Sequence, residues 1–312
     1  MLEVRRTTPT GLEQTAAPTE GCWLHVVEPT AAEIATVRQF GVPDDLLAHF
    51  TDVDERPRVD QSADCVLVVL HYPAPRTNAG DGPPWRMLPL SVILTPRGIV
   101  THAPTPVGFL QSLHNPGDAR HQFSIERPVE FVLRTCWHVA DECLTALRDI
   151  NARVDALESQ LRRSLRNEEV LGLLAYQKSL TYFATGMKAN ELMLERFESL
   201  PLVKLAGPDA DLLDDVRIEI RQAIAMVDIA DNVLSDMMDA FASIVSNNLN
   251  AVMKALTSVT ILLAVPTLIV SVYGMNVGLP GAESPRAFMF LIALSAAAVG
   301  GLFVLFRKKN WL

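Results

Sequence analysis

Cysteine is scarce in this chain of 312 residues, with four in all. Cys22, Cys65, Cys136 and Cys143 are too scattered for a disulfide scaffold. Cys136 and Cys143 can share one helical face with His138 between them, but a metal site there lacks a second close pair. They are read as buried structural thiols. Positive charge is also short: 27 Lys and Arg stand against 36 Asp and Glu, a net charge of −9. A general nucleic-acid binder needs basic patches to neutralise phosphates, so no nucleic-acid partner is expected. There is no Walker-type loop, the seven histidines are scattered, and no nucleophile–base pair presents itself. Neither an enzyme nor a bound cofactor is expected. The first residues, MLEVRRTTPTGLEQTAAPTEG, hold no apolar signal-peptide core, so the N-terminal portion is expected in the cytoplasm.

Disorder is excluded by the opposite excess. Hydrophobic residues make up 49% of the chain and charged ones 20%, and the mean hydropathy is +0.20. The surplus sits at the end. Residues 255–273 and 287–306 carry no charge, and each run matches the roughly 30 Å hydrocarbon core of a bilayer at 1.5 Å per helical residue. Lys254 precedes the first run, Arg307-Lys308-Lys309 follow the second, and the stretch between holds only Glu283 and Arg286. The positive-inside rule then places both termini in the cytoplasm and the short loop outside. Thr257, Ser258, Thr260, Thr267 and Ser271 punctuate the first span, whereas the second has only Ser295. That contrast points to an inner and an outer helix. Two spans alone cannot enclose a pore, so transport would require a symmetric homo-oligomer.

Along the rest of the chain, residues 1–21 are rich in Thr, Pro and Glu and are expected to be disordered. A small α/β domain is expected over 22–127: strands at 23–27, 65–70, 88–94 and 99–102, helices at 30–40 and 44–50, and a loop over 73–85. From Pro128 the pattern turns helical. Leu147, Ile150, Val154, Leu157 and Leu161 form a packing seam, and Asn167-Glu168-Glu169 opens a second helix, making a hairpin over 128–208. From Asp209 neither proline nor glycine occurs before Pro266. Leu213, Val216, Ile220, Ala223, Val227, Ala230, Leu234, Met237, Phe241 and Ile244 keep a heptad seam through this stretch. The segment 209–254 is therefore read as a stalk running straight into the first span. The fold class is α+β: a cytoplasmic αβα part with long helices, a stalk helix and two transmembrane helices.

The first span ends in Tyr273-Gly274-Met275-Asn276, followed by a loop over 274–286, the second span and a basic tail over 307–312. This arrangement resembles the signature of the CorA family of divalent-cation transport proteins. Ser246-Asn-Asn-Leu-Asn-Ala-Val-Met-Lys-Ala-Leu-Thr257 is similar to the stretch leading into that family's pore helix, and Phe306-Arg-Lys-Lys-Asn-Trp-Leu312 to its C-terminal tail. Trp23 to Pro29, Gly41-Val-Pro, Arg56-Pro-Arg-Val and Val66 to Leu70 resemble its N-terminal domain. The resemblance implies a homopentamer in the inner (plasma) membrane with an acidic cytoplasmic funnel, its pore lined by five copies of the first span. It implies a selectivity filter at Gly274, Met275 and Asn276, with an amide ring that holds hydrated Mg²⁺ without stripping it. Gly274 is expected to allow a turn or close backbone approach, and Asn276 also reads as a helix C-cap. Asn250, Met253, Leu256, Ala264, Thr267 and Ser271 match pore-lining positions, with Met253 and Leu256 as apolar constrictions. Asp215 and Asp239 match positions tied to regulatory metal binding and to the inner entrance, so Mg²⁺ is implied both as the transported and as the regulatory ion.

The loop Val277-Gly-Leu-Pro-Gly-Ala-Glu-Ser-Pro departs from the family pattern and leaves Glu283 as the one external acid near the mouth, which leaves room for Zn²⁺, Co²⁺ or Ni²⁺. Three functions stay open at this level: passive, potential-driven Mg²⁺ influx; a ZntB-like zinc transporter of the same architecture; and a membrane-anchored metal sensor or scaffold without flux. Neither span contains an acid or histidine, so a proton relay inside the bilayer has no candidate.

Overall fold

The computed structural model describes residues 1–312 except 9–10, 77–81, 113–124, 162–166, 202, 204, 206, 279–283, 285 and 312. The chain divides into two compact units, Met1–Ser235 and Asp236–Leu312. The division falls inside the segment that the heptad pattern marks as one stalk.

The first unit is built on a seven-stranded sheet in the order β2-β1-β3-β7-β6-β5-β4. Its strands are β1 (Leu2–Thr8), β2 (Gly11–Thr15), β3 (Cys22–Val27), β4 (Arg58–Ser62), β5 (Cys65–Pro75), β6 (Trp85–Thr95) and β7 (Gly98–Ala103). Every pairing is antiparallel except β3 with β7, which run parallel from Cys22↔Gly98 to Val27↔Ala103. The disorder expected over residues 1–21 is corrected here. β1 pairs with β3 on one side and β2 on the other, with Leu2 opposite Val26 and Val4 opposite both Leu24 and Thr15. Composition registers Thr, Pro and Glu, but these strands are stabilised by ladder hydrogen bonds to distant residues and by burial of Val4.

Alternation along the strands sorts two faces. Leu24, Val26, Leu67, Val69, Ile93 and Val100 form one core with Val37, Phe40, Leu46 and Phe50. These last four come from α1 (Ala31–Gln39), α2 (Asp44–Leu47) and their flanks. α1 opens on a capping box between Thr30 and Glu33. Trp23 faces the other way, its ring edge-on to Phe131 at 5.3 Å, and there the sheet is covered by α4 (Pro128–Leu161) and α5 (Asn167–Glu198). A short α3 (Gly108–Ser112) follows β7. Helix, sheet and helix layers thus agree with the expected αβα part, while β4 and α3 add elements not expected.

The helical hairpin of α4 and α5 docks by specific polar contacts as well as by burial. β4 begins only at Arg58, opposite Val69, which leaves the backbone of His71 in β5 without a strand partner on that side, although it pairs with Pro89 of β6 on the other. Asn190 of α5 completes it: its Oδ1 accepts from the His71 N–H and its Nδ2 donates to the His71 carbonyl, both at 2.8 Å. Asn190 is buried, so one side-chain amide replaces a strand partner. Residue 172 is a glycine where α5 meets Leu157 of α4, and a Cβ there would stand 3.2 Å from a Leu157 methyl.

α6 (Pro208–Tyr273) begins in the first unit. Its heptad seam behaves as expected from Leu213 to Leu234: Leu213, Val216, Ile220, Ala223, Val227 and Leu234 are buried. Beyond Phe241 the seam is no longer covered, and Ile244 is exposed. A ladder of ion pairs, Lys188–Asp228, Glu191–Arg221 and Glu198–Arg217, joins α5 to α6 in antiparallel register. Such surface pairs align helices more than they stabilise them. Cys136 and Cys143 are buried in α4, and burial pushes both thiols up to about 12. They are protonated, inert core residues.

Candidate functional site

The second unit holds the end of α6 and α7 (Ala287–Lys308), and both helices are long and apolar enough to cross a membrane. Along this part of α6, Ser258 is buried and Ala255, Ile261, Leu262, Val265, Pro266, Ile269 and Tyr273 are partly covered. At 100° per residue these share one face. On α7 the less exposed residues, Leu291, Ser295, Ala298, Val299 and Leu302, also form one stripe. Each helix thus carries one stripe that is less exposed than the rest of its surface.

The residues that match pore-lining positions lie elsewhere. Asn250, Met253, Leu256, Ala264, Thr267 and Ser271 are all exposed and fall within an arc of about 120° on the opposite side of α6. The helix therefore separates a partly covered face from a face left uncovered within this chain. Met253 and Leu256 are 51% and 58% exposed. Burying such side chains against neighbours is worth on the order of 1.5–3 kcal/mol each, so this face is suited to a partner.

Three of the span's five serine and threonine hydroxyls donate back along their own helix. Ser258 Oγ donates to the Lys254 carbonyl at 2.8 Å, Thr260 Oγ1 to Leu256 at 2.9 Å and Thr267 Oγ1 to Leu263 at 2.8 Å. Each bonds back one turn along its own helix, a common fate for serine and threonine in apolar segments. Pro266 lies inside α6 and has no N–H for the Leu262 carbonyl, one turn before it, so the backbone there keeps an unspent acceptor. Sequence reading missed this position. A proline-free run from 209 to 265 signals a continuous helix, not the acceptor created where that run ends.

At Tyr273 the helix closes. The Gly274 N–H donates to the carbonyls of Val270 at 3.0 Å and Ser271 at 3.2 Å, and the Met275 N–H to Val272 at 3.4 Å. Asn276 follows as an exposed residue. Two expectations change here. Gly274 does not adopt a positive φ, and a Cβ on it would meet only ordinary contacts at 3.5 Å. Nothing within one chain demands glycine at that position. Asn276 is not in the left-handed conformation of a helix cap either. Its amide is left available rather than used to end the helix. Glu283, the one external acid expected near this end, lies outside the described residues.

The two aspartates fall in different units. Asp239, in the second, is exposed, and its carbonyl accepts from Ser243 Oγ at 3.0 Å. Asp215, in the first, is exposed on α6 and lines a cavity of about 520 Å³ against α4, with Arg134, Trp137, His138, Ile218 and Glu219. Burial raises the Glu219 carboxyl above its ordinary range, and the charge of Asp141 adds to the rise. Among the described residues no three acids, histidines or cysteines gather as a metal site. Within one chain, then, the structure does not bring Asp215 and Asp239 together with other ligands. Asp141 and Glu219 carried no sequence signal, because they meet only through the packing of α4 on α6.

An αβα domain, a long helix, two apolar spanning helices and an exposed asparagine just past the first span define a class of two-span membrane proteins. A family model described as CorA-like Mg²⁺ transporter protein matches residues 19–308, and the chain belongs to that family. It is a family of transport proteins, not enzymes. The Cobalt/magnesium transport protein CorA of Methanocaldococcus jannaschii is 26% identical over 298 residues, covering 93% of this chain and 91% of the relative. The complete structure of the CorA magnesium transporter from the same organism superposes with a TM-score of 0.86 at 22% identity, covering 100% of this chain and 99% of that one. The ZntB cytoplasmic domain from Vibrio parahaemolyticus shares the fold of the corresponding part, with a TM-score of 0.59 at 12% identity, covering 80% of this chain and 97% of that one.

Proposed function

We propose that the chain transports divalent cations across a membrane, with Mg²⁺ influx as its principal activity. Family membership supports divalent-cation transport as the general reading. The observation that carries the finer one is the exposed Asn276 amide just past the first apolar helix. Mg²⁺ dehydrates reluctantly and keeps an octahedral water shell. Amide oxygens arranged in a ring accept hydrogen bonds from that shell and leave it intact, whereas carboxylates would hold the ion more tightly and slow its release.

In this reading the transporter is a homopentamer with both termini in the cytoplasm, and the uncovered face of α6 from Asn250 to Ser271 borders the ion path. Met253 and Leu256 narrow it by apolar side chains that dewet. Gly274 and Met275 position the Asn276 ring. The Gly274 backbone is unstrained in one chain, so its glycine serves the approach of neighbouring copies. Asp215 and Asp239, each without an acidic cluster of its own, would bind regulatory cations between copies. Loss of cytoplasmic Mg²⁺ then releases the repulsion of the carboxylates and favours opening. The driving force is the membrane potential: a divalent ion moving inward across 100 mV gains about 4.6 kcal/mol. No other energy source is needed.

The test is uptake into proteoliposomes containing Mg²⁺- or Zn²⁺-sensitive dye, with Asn276→Ala as control. Mg²⁺ uptake that grows with inside-negative potential and falls at least tenfold in the variant is expected. Zn²⁺ uptake without Mg²⁺ uptake transfers the reading to a zinc transporter of this architecture. Folded, oligomeric protein that moves neither ion is a sensor or scaffold.

A further inference from the structure

The end of α7 is a folded hook. The Trp311 N–H reaches back to the Phe306 carbonyl at 3.0 Å, the Asn310 N–H to Arg307 at 3.3 Å, and the Lys309 N–H to Leu305 at 3.1 Å. Asn310 sits at φ +53, the left-handed position that lets the chain reverse and satisfy the last carbonyls of a helix. The reversal lays the Trp311 ring on Phe306, with centroids 5.7 Å apart and planes within 3°. Phe306 becomes the one buried residue of the helix. Asparagine suits the left-handed position because its short polar side chain tolerates it.

Three cations, Arg307, Lys308 and Lys309, occupy the turn between these two rings. All are exposed, and none forms an ion pair with a described residue. The negative end of the helix dipole favours them there. Consecutive helical residues point about 100° apart, so the three charges fan around the helix and cannot converge on one small anion. Such a collar fits an extended surface of negative groups. The tryptophan beside it, apolar in body with one N–H, is the residue type that sits at headgroup depth.

We infer that this hook binds the anionic phospholipid headgroups of the leaflet it faces, with Trp311 as the depth anchor and Arg307, Lys308 and Lys309 as the contacts that select charge. The inference rests on the reading of α7 as a membrane span. Each cation near an anionic surface is worth about a fivefold local preference, so the three together give an enrichment of at least tenfold.

The experiment measures quenching of Trp311 in the full chain reconstituted into bilayers. The signal is isolated by subtracting Trp311→Phe protein, since the other tryptophans, Trp23, Trp85 and Trp137, lie in the first unit. All bilayers contain one part phosphatidylglycerol to nine parts phosphatidylcholine. In one set the phosphatidylglycerol carries brominated acyl chains, and in the other an equal amount of the phosphatidylcholine does. Stronger quenching by the brominated phosphatidylglycerol, corresponding to about tenfold enrichment and abolished both by 1 M salt and by the triple variant R307Q/K308Q/K309Q, is expected. Equal quenching by the two lipids overturns the headgroup selection and leaves the span reading intact. No quenching by either overturns the span reading itself. A preference that survives high salt overturns the assignment to the three cations.

Discussion

Two glycines separate what a single added methyl can cost in this domain. Gly98 lies at φ +150 and pairs with Cys22 where the parallel strands β3 and β7 meet. A Cβ there lands against the Cys22 carbonyl oxygen, nearer than real Cβ contacts come, and 3.1 Å from the Phe40 ring. Backbone cannot rotate aside. The strands must part at the one pairing that joins the β2-β1-β3 half of the sheet to the other four strands. A disallowed φ costs about 1–3 kcal/mol and overpacking about as much again, so Gly98→Ala should lose roughly 3–5 kcal/mol. Gly186 of α5 is crowded as well, but by Met87 atoms at 2.9 Å. That side chain is flexible, and alanine gains about 1 kcal/mol in a helix interior, so Gly186→Ala should stay within about 1 kcal/mol of the parent. Urea unfolding of the full chain in detergent micelles, followed by tryptophan fluorescence, reads both variants on one scale. With a slope of about 2–3 kcal/mol per molar, the Gly98 variant should unfold more than 1 M earlier and the Gly186 variant within about 0.5 M. Equal midpoints for the two would refute the argument that backbone, not crowding as such, decides the cost.

The remaining predictions concern buried polar groups. His25 Nδ1 shares a 2.8 Å hydrogen bond with the Thr101 hydroxyl, which accepts from Trp23 Nε1, and burial lowers both His25 and His102 to about 4. Both imidazoles are neutral in the fold and gain protons near 6.5 when unfolded. Their contribution is therefore complete above pH 6.5 and lost as pH falls toward 4, by about 3 kcal/mol for each. Glu142 acts with the opposite sign: burial raises it to about 7, so its stabilising contribution is complete below 4.5 and lost as pH rises through 7. Glu142→Gln should raise the melting temperature at pH 8 and leave it unchanged at pH 4.5; equal shifts at both pH values would contradict this. Asn190→Ala removes both bonds to the His71 backbone and should cost about 2–4 kcal/mol, seen as an earlier urea midpoint and faster amide exchange at His71. An unchanged exchange rate at His71 would show that water replaces the amide.

Much of this architecture was legible in the residues. The helices from Pro128 onward show unbroken apolar periodicity and few breakers, and local pattern suffices where each hydrogen bond closes within four residues. The charge-free runs are equally local, because a bilayer demands length and hydrophobicity rather than particular partners. Strand ends were less legible: β5 runs on to Pro75 and β6 starts at Trp85, although Pro73 and Pro75 read as loop. A proline is tolerated where pairing thins, as Pro89 is in β6, beyond the last residue paired with β7.

By itself, the sequence determined the αβα class, the heptad seam of α6, the two spans and the Tyr273-Gly-Met-Asn turn, because these depend on periodicity, length and adjacent residues. Tertiary structure alone decided that Leu2–Thr8 and Gly11–Thr15 join the sheet, since strands are stabilised by partners far along the chain. It also decided that Asn190 completes β5, and that Asp141 faces Glu219 across two helices. The opposed faces of α6 follow the same division. Sequence spacing places Asn250 to Ser271 on one side, but only the structure shows that side exposed and the other partly covered.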